Sequence, residues 1–124
     1  MPSKVITIDG PSASGKGTLA KLLSKHINFD LLDSGALYRA FAFFTNQELS
    51  NEVITRKLSS ISFVLKHAKV QIVSDNQDIT NELRMERIAI LASELSSKSL
   101  TRKLLLPIQR GYGANSNLVA DGRD

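Results

Sequence analysis

The stretch GPSASGKGT, Gly10 to Thr18, constrains this chain more than any other. It fits the G-x-x-x-x-G-K core of a phosphate-binding loop, with Gly17 and Thr18 where Ser or Thr usually follows the lysine directly. Its setting matters as much. Val5 to Ile8 is a short β-branched run, read as a strand buried on both faces. Thr18 to Ile27 carries Leu19, Leu22, Leu23 and Ile27 at helical spacing. A strand, a glycine-rich turn and a helix in that order are what a phosphate loop needs. The glycines let backbone N–H groups curl around phosphate oxygens without side-chain clash. The helix N-terminus adds unpaired N–H donors and a partial positive charge. Lys16 supplies an ammonium where charge shifts during phosphoryl transfer. The competing reading is a glycine-rich turn with an incidental surface lysine, and the flanking strand and helix weigh against it.

The rest of the chain extends this start. Phe29 to Leu32 reads as a second strand ended by Asp33, Ser34 and Gly35. Ala36 to Phe44 is helical, with Leu37, Phe41 and Phe44 on one face, and Glu52 to Leu58 is a further short helix. The character then changes. Ile61 to Leu65, Val70 to Val73 and Asp78 to Thr80 predict three short strands with turn residues between them, Asp75-Asn76 among these. Helical sequence resumes from Asn81 to Gln109, with Pro107 expected to kink or end it. Leu118 to Ala120 closes as a strand before the turn Asp121-Gly122-Arg123-Asp124. Strands separated by helices imply a parallel sheet with right-handed crossovers. The expected divisions are 1–57 for the first part of the core, 58–92 for an inserted antiparallel meander, and 93–124 for the return to the core.

Composition narrows the chemistry. The 124 residues contain no cysteine, which removes disulfide scaffolds, thiolate metal sites and thiol nucleophiles. Hydrophobic residues make up 42% and charged residues 23%, the balance of a soluble globular chain. The longest apolar runs, such as Ala40 to Phe44 and Ile88 to Ala92, fall far short of the roughly 20 residues a membrane span needs. Asp9 interrupts the first apolar stretch and no cleavage pattern follows, so no signal peptide and a cytoplasmic location are expected. The net charge is +4, but the basic residues are scattered and no stacking aromatic motif accompanies them. A phosphate-bearing small molecule fits better than nucleic acid or an anionic membrane. His26, near a helix end, and His67, in a hairpin turn, have no metal-ligand spacing and receive no role.

The segment DSGALYR, Asp33 to Arg39, follows the second strand. Ser34 is placed to cap the next helix, and Arg39 has a fork suited to bidentate phosphate binding. Singly these are an ordinary cap and a solvated arginine; beside a phosphate loop they suggest a second phosphate site. GPSASGKGT, LLDSGALYR, QDITNELR and VADGRD stand in the order seen in bacterial cytidylate kinases, which the chain resembles from Val5 to Asp124. The Gly-Lys-Gly-Thr ending is similar to that of nucleoside monophosphate kinases rather than GTPases. Adenylate kinases are resembled less specifically.

The resemblance implies an α/β fold: a P-loop NTPase-type parallel sheet with flanking helices and an inserted NMP-binding meander. It implies ATP-dependent phosphorylation of CMP or dCMP with Mg²⁺, by a full-length form that is a monomer. ATP would be held by Gly10, Pro11, Ser12, Ala13, Ser14, Gly15, Lys16, Gly17 and Thr18. Ser12, Arg39 and Arg123 would hold the CMP phosphate, with Ser34 and Tyr38 lining the acceptor site. Ser93, Arg102 and Asp124 would read the cytosine edge. Lys16, Arg39 and Arg123 would be catalytic, and Asp121 would hold magnesium through water. Family members continue beyond the position of Asp124, and the continuation would supply two more strands, a lid and ribose contacts. The 124-residue chain alone is therefore expected to be inactive, and its first strand an exposed sheet edge. The alternatives are a UMP or AMP kinase of the same architecture, a nucleotide-binding module without turnover and, third, a nucleic-acid-binding domain.

Overall fold

A computed structural model describes residues 4–9, 16–67 and 69–122. Two sheets organise them. The first is parallel and three-stranded, in the order β1 (Val5–Ile8), β6 (Leu118–Asp121), β2 (Asp30–Asp33). The last strand thus lies between the first two. Its register sets Ile8 beside Asp121 on one side and Asp33 beside Asp121 on the other, so all three carboxyl ends finish level. The second sheet is antiparallel, in the order β3 (Ser62–Lys66), β4 (Lys69–Ser74), β5 (Gln77–Asp78). The α/β class, the parallel sheet and the antiparallel meander are as expected.

Helix α1 (Lys16–Ile27) leads from β1 toward β2. Asn28 ends it in the left-handed region, φ 57, and the Phe29 N–H reaches back to the Ser24 carbonyl at 3.0 Å. This six-to-one closure satisfies a carbonyl the helix would otherwise leave open. Helix α2 (Ser34–Asn46) starts directly at the end of β2, and its buried residues include Ala36, Leu37, Ala40, Phe41 and Phe44. They share one core with Leu58 at the end of α3 (Asn51–Ser59) and with Leu105 and Ile108 of α6 (Ser99–Asn115). In the second sheet, Asp75 and Asn76 both take positive φ, 49 and 65, in a two-residue hairpin loop. Such loops match the twist of the flanking strands.

Several expectations need correction. β1 is not buried on both faces: Val5 is 51% exposed and none of the four residues is buried, because β6 flanks the strand on one side only. This is the exposed edge the sequence anticipated. In α1, Leu19 and Leu22 face outward while Ala20 and Ser24 are buried. Asp78 to Thr80 is not a strand. β5 stops at Asp78, and the short helix α4 (Thr80–Leu83) begins where the Asp78 carboxylate accepts the Thr80 N–H and hydroxyl. The helical stretch after Asn81 divides into α4, α5 (Glu86–Ser96) and α6, because Met85 and Lys98 take extended backbone. Pro107 does not end α6, which runs on through Gly111 and Gly113 to Asn115. Packing outweighs propensity there. A Cβ on Gly113 would stand 2.9 Å from Val5 Cγ2, so the helix lies against β1 where a glycine allows it.

Candidate functional site

The carboxyl ends of β1, β6 and β2 finish level with one another. In open parallel sheets this edge is where ligands bind, because helix N-termini and loops converge on it. Asp9 follows β1, Asp33 ends β2 and Asp121 ends β6. Asp33 and Asp121 are register partners on adjacent strands, about 4.8 Å apart in backbone spacing. The N-cap of α2 is Asp33, not Ser34: its Oδ1 accepts the Ala36 N–H at 3.1 Å. Ser34 is the first helical residue, buried, and its Oγ accepts a hydrogen bond from Gln109 Nε2 at 3.3 Å. Gly122 crosses above it at φ +112, where a Cβ would stand 2.9 Å from the Ser34 Cβ. The Gly122 N–H donates to the Ile8 carbonyl at 3.0 Å. The turn after β6 is thus seated on both β1 and the start of α2.

A cleft of about 160 Å³ opens beside this edge. Its lining includes Lys21 of α1, Asp33 of β2 and Arg39 of α2, together with Lys69 of β4 and Arg84 just after α4. Val70, Ile72, Thr80 and Leu83, all buried, also line it. Arg39 is held beside the start of its own helix, with Nη2 3.9 Å from where a Gly35 Cβ would lie. Four cations against one carboxylate make this an anion site in chemical character.

Tyr38, one residue before Arg39, sits beside Arg102 of α6. Burial pushes the Tyr38 hydroxyl above its ordinary value of 10.0, and the Arg102 charge pulls it part of the way back. Tyr112 is pushed further, to about 12, by burial, against a hydrogen bond to the Ile61 carbonyl. Asp78, at the end of β5, is held below the usual carboxylate range by the Thr80 hydrogen bonds first and by the Arg84 charge last. Thr80 Oγ1 in turn accepts the Ile72 N–H at 2.9 Å, which ties β4 to the start of α4.

The description of the cytidylate kinase family matches residues 6–124. The chain belongs to that family. A cytidylate kinase of Saccharophagus degradans is 40% identical over 128 aligned residues, covering 98% of this chain and 57% of the relative. One of Yersinia pestis (strain Pestoides F) is 38% identical over 126, covering 97% of this chain and 55% of the relative. The chain therefore spans a little over half the length of these relatives.

Against the cytidylate kinase expectation, the structure brings Arg39 to the cleft, Tyr38 to Arg102, and Asp121 to Asp33. Ser34 faces α6 through Gln109 and does not line the cleft. Ser93 is exposed on α5, and Thr18 is exposed in the first turn of α1. Lys16 and Gly17 open α1. Gly10, Pro11, Ser12, Ala13, Ser14 and Gly15, with Arg123 and Asp124, lie outside the described residues.

Among the described residues, no group of three or more His, Cys, Asp or Glu gathers to enclose a metal. Asp33 and Asp121 are register neighbours at the ends of β2 and β6, and carboxylates are the groups magnesium takes from a protein, one or two at a time, with phosphate oxygens and water filling its shell. Among those residues no helix is long and apolar enough to cross a membrane. Sequence reading missed Lys21, Lys69 and Arg84 as cleft residues. Arg84 closes the quoted QDITNELR, yet its spacing from Arg39 carries no signal until the insertion folds back.

Proposed function

We propose that the protein transfers the γ-phosphoryl group of ATP to CMP or dCMP, giving ADP and CDP or dCDP. The single observation that carries this reading is Arg39 in a cationic cleft at the carboxyl edge of the sheet. Helix α1, which begins within the phosphate-loop motif, belongs to the preceding βα unit and contributes Lys21 to the same cleft. Donor and acceptor phosphates would meet there. Lys16 would neutralise charge on the transferring group, Arg39 and Arg123 would grip the acceptor phosphate, and no covalent enzyme intermediate is required. Magnesium, held through water by Asp121, would shield the phosphate oxygens. Arg102, supported by its closeness to Tyr38, would read the cytosine edge with Ser93 and Asp124. Residues 58–92 would cover the acceptor. The family match favours cytidine over uridine or adenosine monophosphate, and small cytoplasmic nucleotides over nucleic acid as ligands.

The test is calorimetric titration of the full-length form with CMP, dCMP, UMP and AMP, followed by a coupled assay of that form with ATP and magnesium. CMP and dCMP should bind at least about tenfold more tightly than UMP. Uracil presents a carbonyl where the cytosine reader needs a donor, and an unmatched buried polar group costs about 1–3 kcal/mol. Equal affinities for UMP and CMP would overturn the cytosine assignment, and binding without turnover would leave a nucleotide-binding module.

A further inference from the structure

Helix α6 holds the start of α2 at a buried point. Gln109 and Ser34 are 5% and 6% exposed, and the Gln109 Nε2 donates to the Ser34 Oγ at 3.3 Å across 75 residues of sequence. Ser34 is not needed to cap α2, because Asp33 already accepts the Ala36 N–H. Gly122 closes over the same serine, where a Cβ would stand 3.3 Å from its Oγ. The first residue of α2 is thus held by α6 and by the turn after β6. Arg102, Leu105 and Gln109 fall on one stripe of α6, which runs unbroken across Pro107. Leu105 is fully buried in the core that α2 shares. Arg102 stands near enough to Tyr38 for its charge to act on that hydroxyl. So α6 meets α2 twice, through Gln109 at Ser34 and through Arg102 at Tyr38. The two points lie about 10 Å apart along α6 and about 6 Å apart along α2. Their order is opposite on the two helices, so neither helix slides along the other without losing a contact.

We propose that Gln109 is a positioning residue: by holding the first residue of α2, it fixes the separation between the phosphate end and the base end of the acceptor site. The inference rests on the acceptor reading above, in which Arg39 takes the phosphate and Arg102 the cytosine edge. Gln109 does not line the cleft and acts through Ser34. Arg39 follows Ser34 on the same helix, and its Nη2 lies 3.9 Å from where a Gly35 Cβ would stand. A shift at Ser34 therefore carries Asp33 and Arg39 with it, while Arg102 stays with α6. A ligand held at both ends gains over its separate halves only when the two subsites stand at the ligand's own length. A glutamine suits this task. It is neutral, so its burial carries no ionic desolvation cost, and its amide satisfies a buried hydroxyl oxygen. An apolar side chain of similar size would fill the space but leave the Ser34 oxygen unmatched and α2 released from α6.

The experiment titrates the full-length form with CMP, cytidine and inorganic phosphate by calorimetry. It compares the wild type, Gln109→Met, Ser34→Ala and the double variant, with thermal melts as a check on folding. The wild type should bind CMP at least about a hundredfold more tightly than cytidine. Gln109→Met should lose about tenfold for CMP yet keep cytidine and phosphate within about twofold, since each half still finds its own subsite. Because the two residues act through one bond, the double variant should lose much less than the product of the two singles. In turnover, kcat for CMP should fall while the KM for ATP is unchanged. Should Gln109→Met fail to fold, Ser34→Ala makes the same comparison through a smaller change. Equal losses for CMP, cytidine and phosphate would mark Gln109 as structural only and overturn the inference. Wild-type CMP affinity in both single variants would overturn it too, and in either case the acceptor reading stands. If the wild type binds CMP no more tightly than cytidine, the acceptor reading falls, and the inference with it.

Discussion

The Tyr112 hydroxyl donates to the Leu58 carbonyl at 2.6 Å and lies 2.8 Å from the Ile61 carbonyl. One hydroxyl proton is thus shared between two acceptors on the segment where α3 gives way to β3. The Tyr112 ring meets Phe63 of β3 edge-on, with centroids 6.0 Å apart. One α6 side chain therefore fixes the point from which the meander departs.

Tyr112→Phe keeps the ring and removes the donor. It should lower stability by about 1–2 kcal/mol, since it takes the hydroxyl donor away from two carbonyls at a partly buried site, of which Leu58 keeps only backbone N–H donors. Urea denaturation should show a lower midpoint at unchanged slope. A midpoint equal to the wild type would mean that water replaces the hydroxyl at no cost.

The same residue predicts a response to alkali. The folded protein holds the Tyr112 proton up to about 12, above the ordinary 10.0. Between those values the native state binds more protons than the unfolded chain, so stability falls as pH rises. Its contribution is fully present below pH 10 and is lost through about 12. Denaturation midpoints at pH 9, 10 and 11 should decline in the wild type and decline less in Tyr112→Phe. The residual slope belongs to Tyr38, whose hydroxyl is also shifted upward. Equal slopes in the two proteins would refute the assignment.

Gly122→Ala should be damaging beyond its size. The position has φ +112, and the new methyl would meet the Ser34 Cβ at 2.9 Å. Backbone strain alone costs about 1–3 kcal/mol at such a position. The start of α2 would have to shift, and Arg39 with it. Both the melting temperature and CMP affinity should drop, whereas Gly111→Ala, with nothing within 4 Å of its Cβ, should not lower affinity. Matching CMP affinities for the two alanine variants would contradict the coupling between this turn and α2.

Much of this arrangement is legible from residue order alone. The β-branched run Val5–Ile8 gives the bounds of β1, and the runs at β3 and β4 give theirs to within a residue, because such runs between turn residues have few other solutions. Three features resisted. Thr80 looks like a strand residue until its hydroxyl and N–H are seen on the Asp78 carboxylate. The breaks at Met85 and Lys98 carry no glycine or proline, since the backbone turns there to let α5 pack on α2. Ser34 reads as the helix cap by residue type, but Asp33 reaches the Ala36 N–H first. In the cleft, Arg39 is legible from its motif. Lys69 and Arg84 are not, because a charge on one element meets another only after distant segments pack.

The order β1-β6-β2 also dictates how this sheet is assembled in time. β1 and β2 are not hydrogen-bonded to each other, and each pairs instead with β6, more than eighty residues later than β2. The meander needs only residues 62 to 78, so it closes early by local contacts. The parallel sheet must wait until Leu118 to Asp121 has left the ribosome and slotted between two strands made long before. Until then Leu31 and Leu32 have no central strand beside them, and this unpaired edge is open to pairing with the wrong strand.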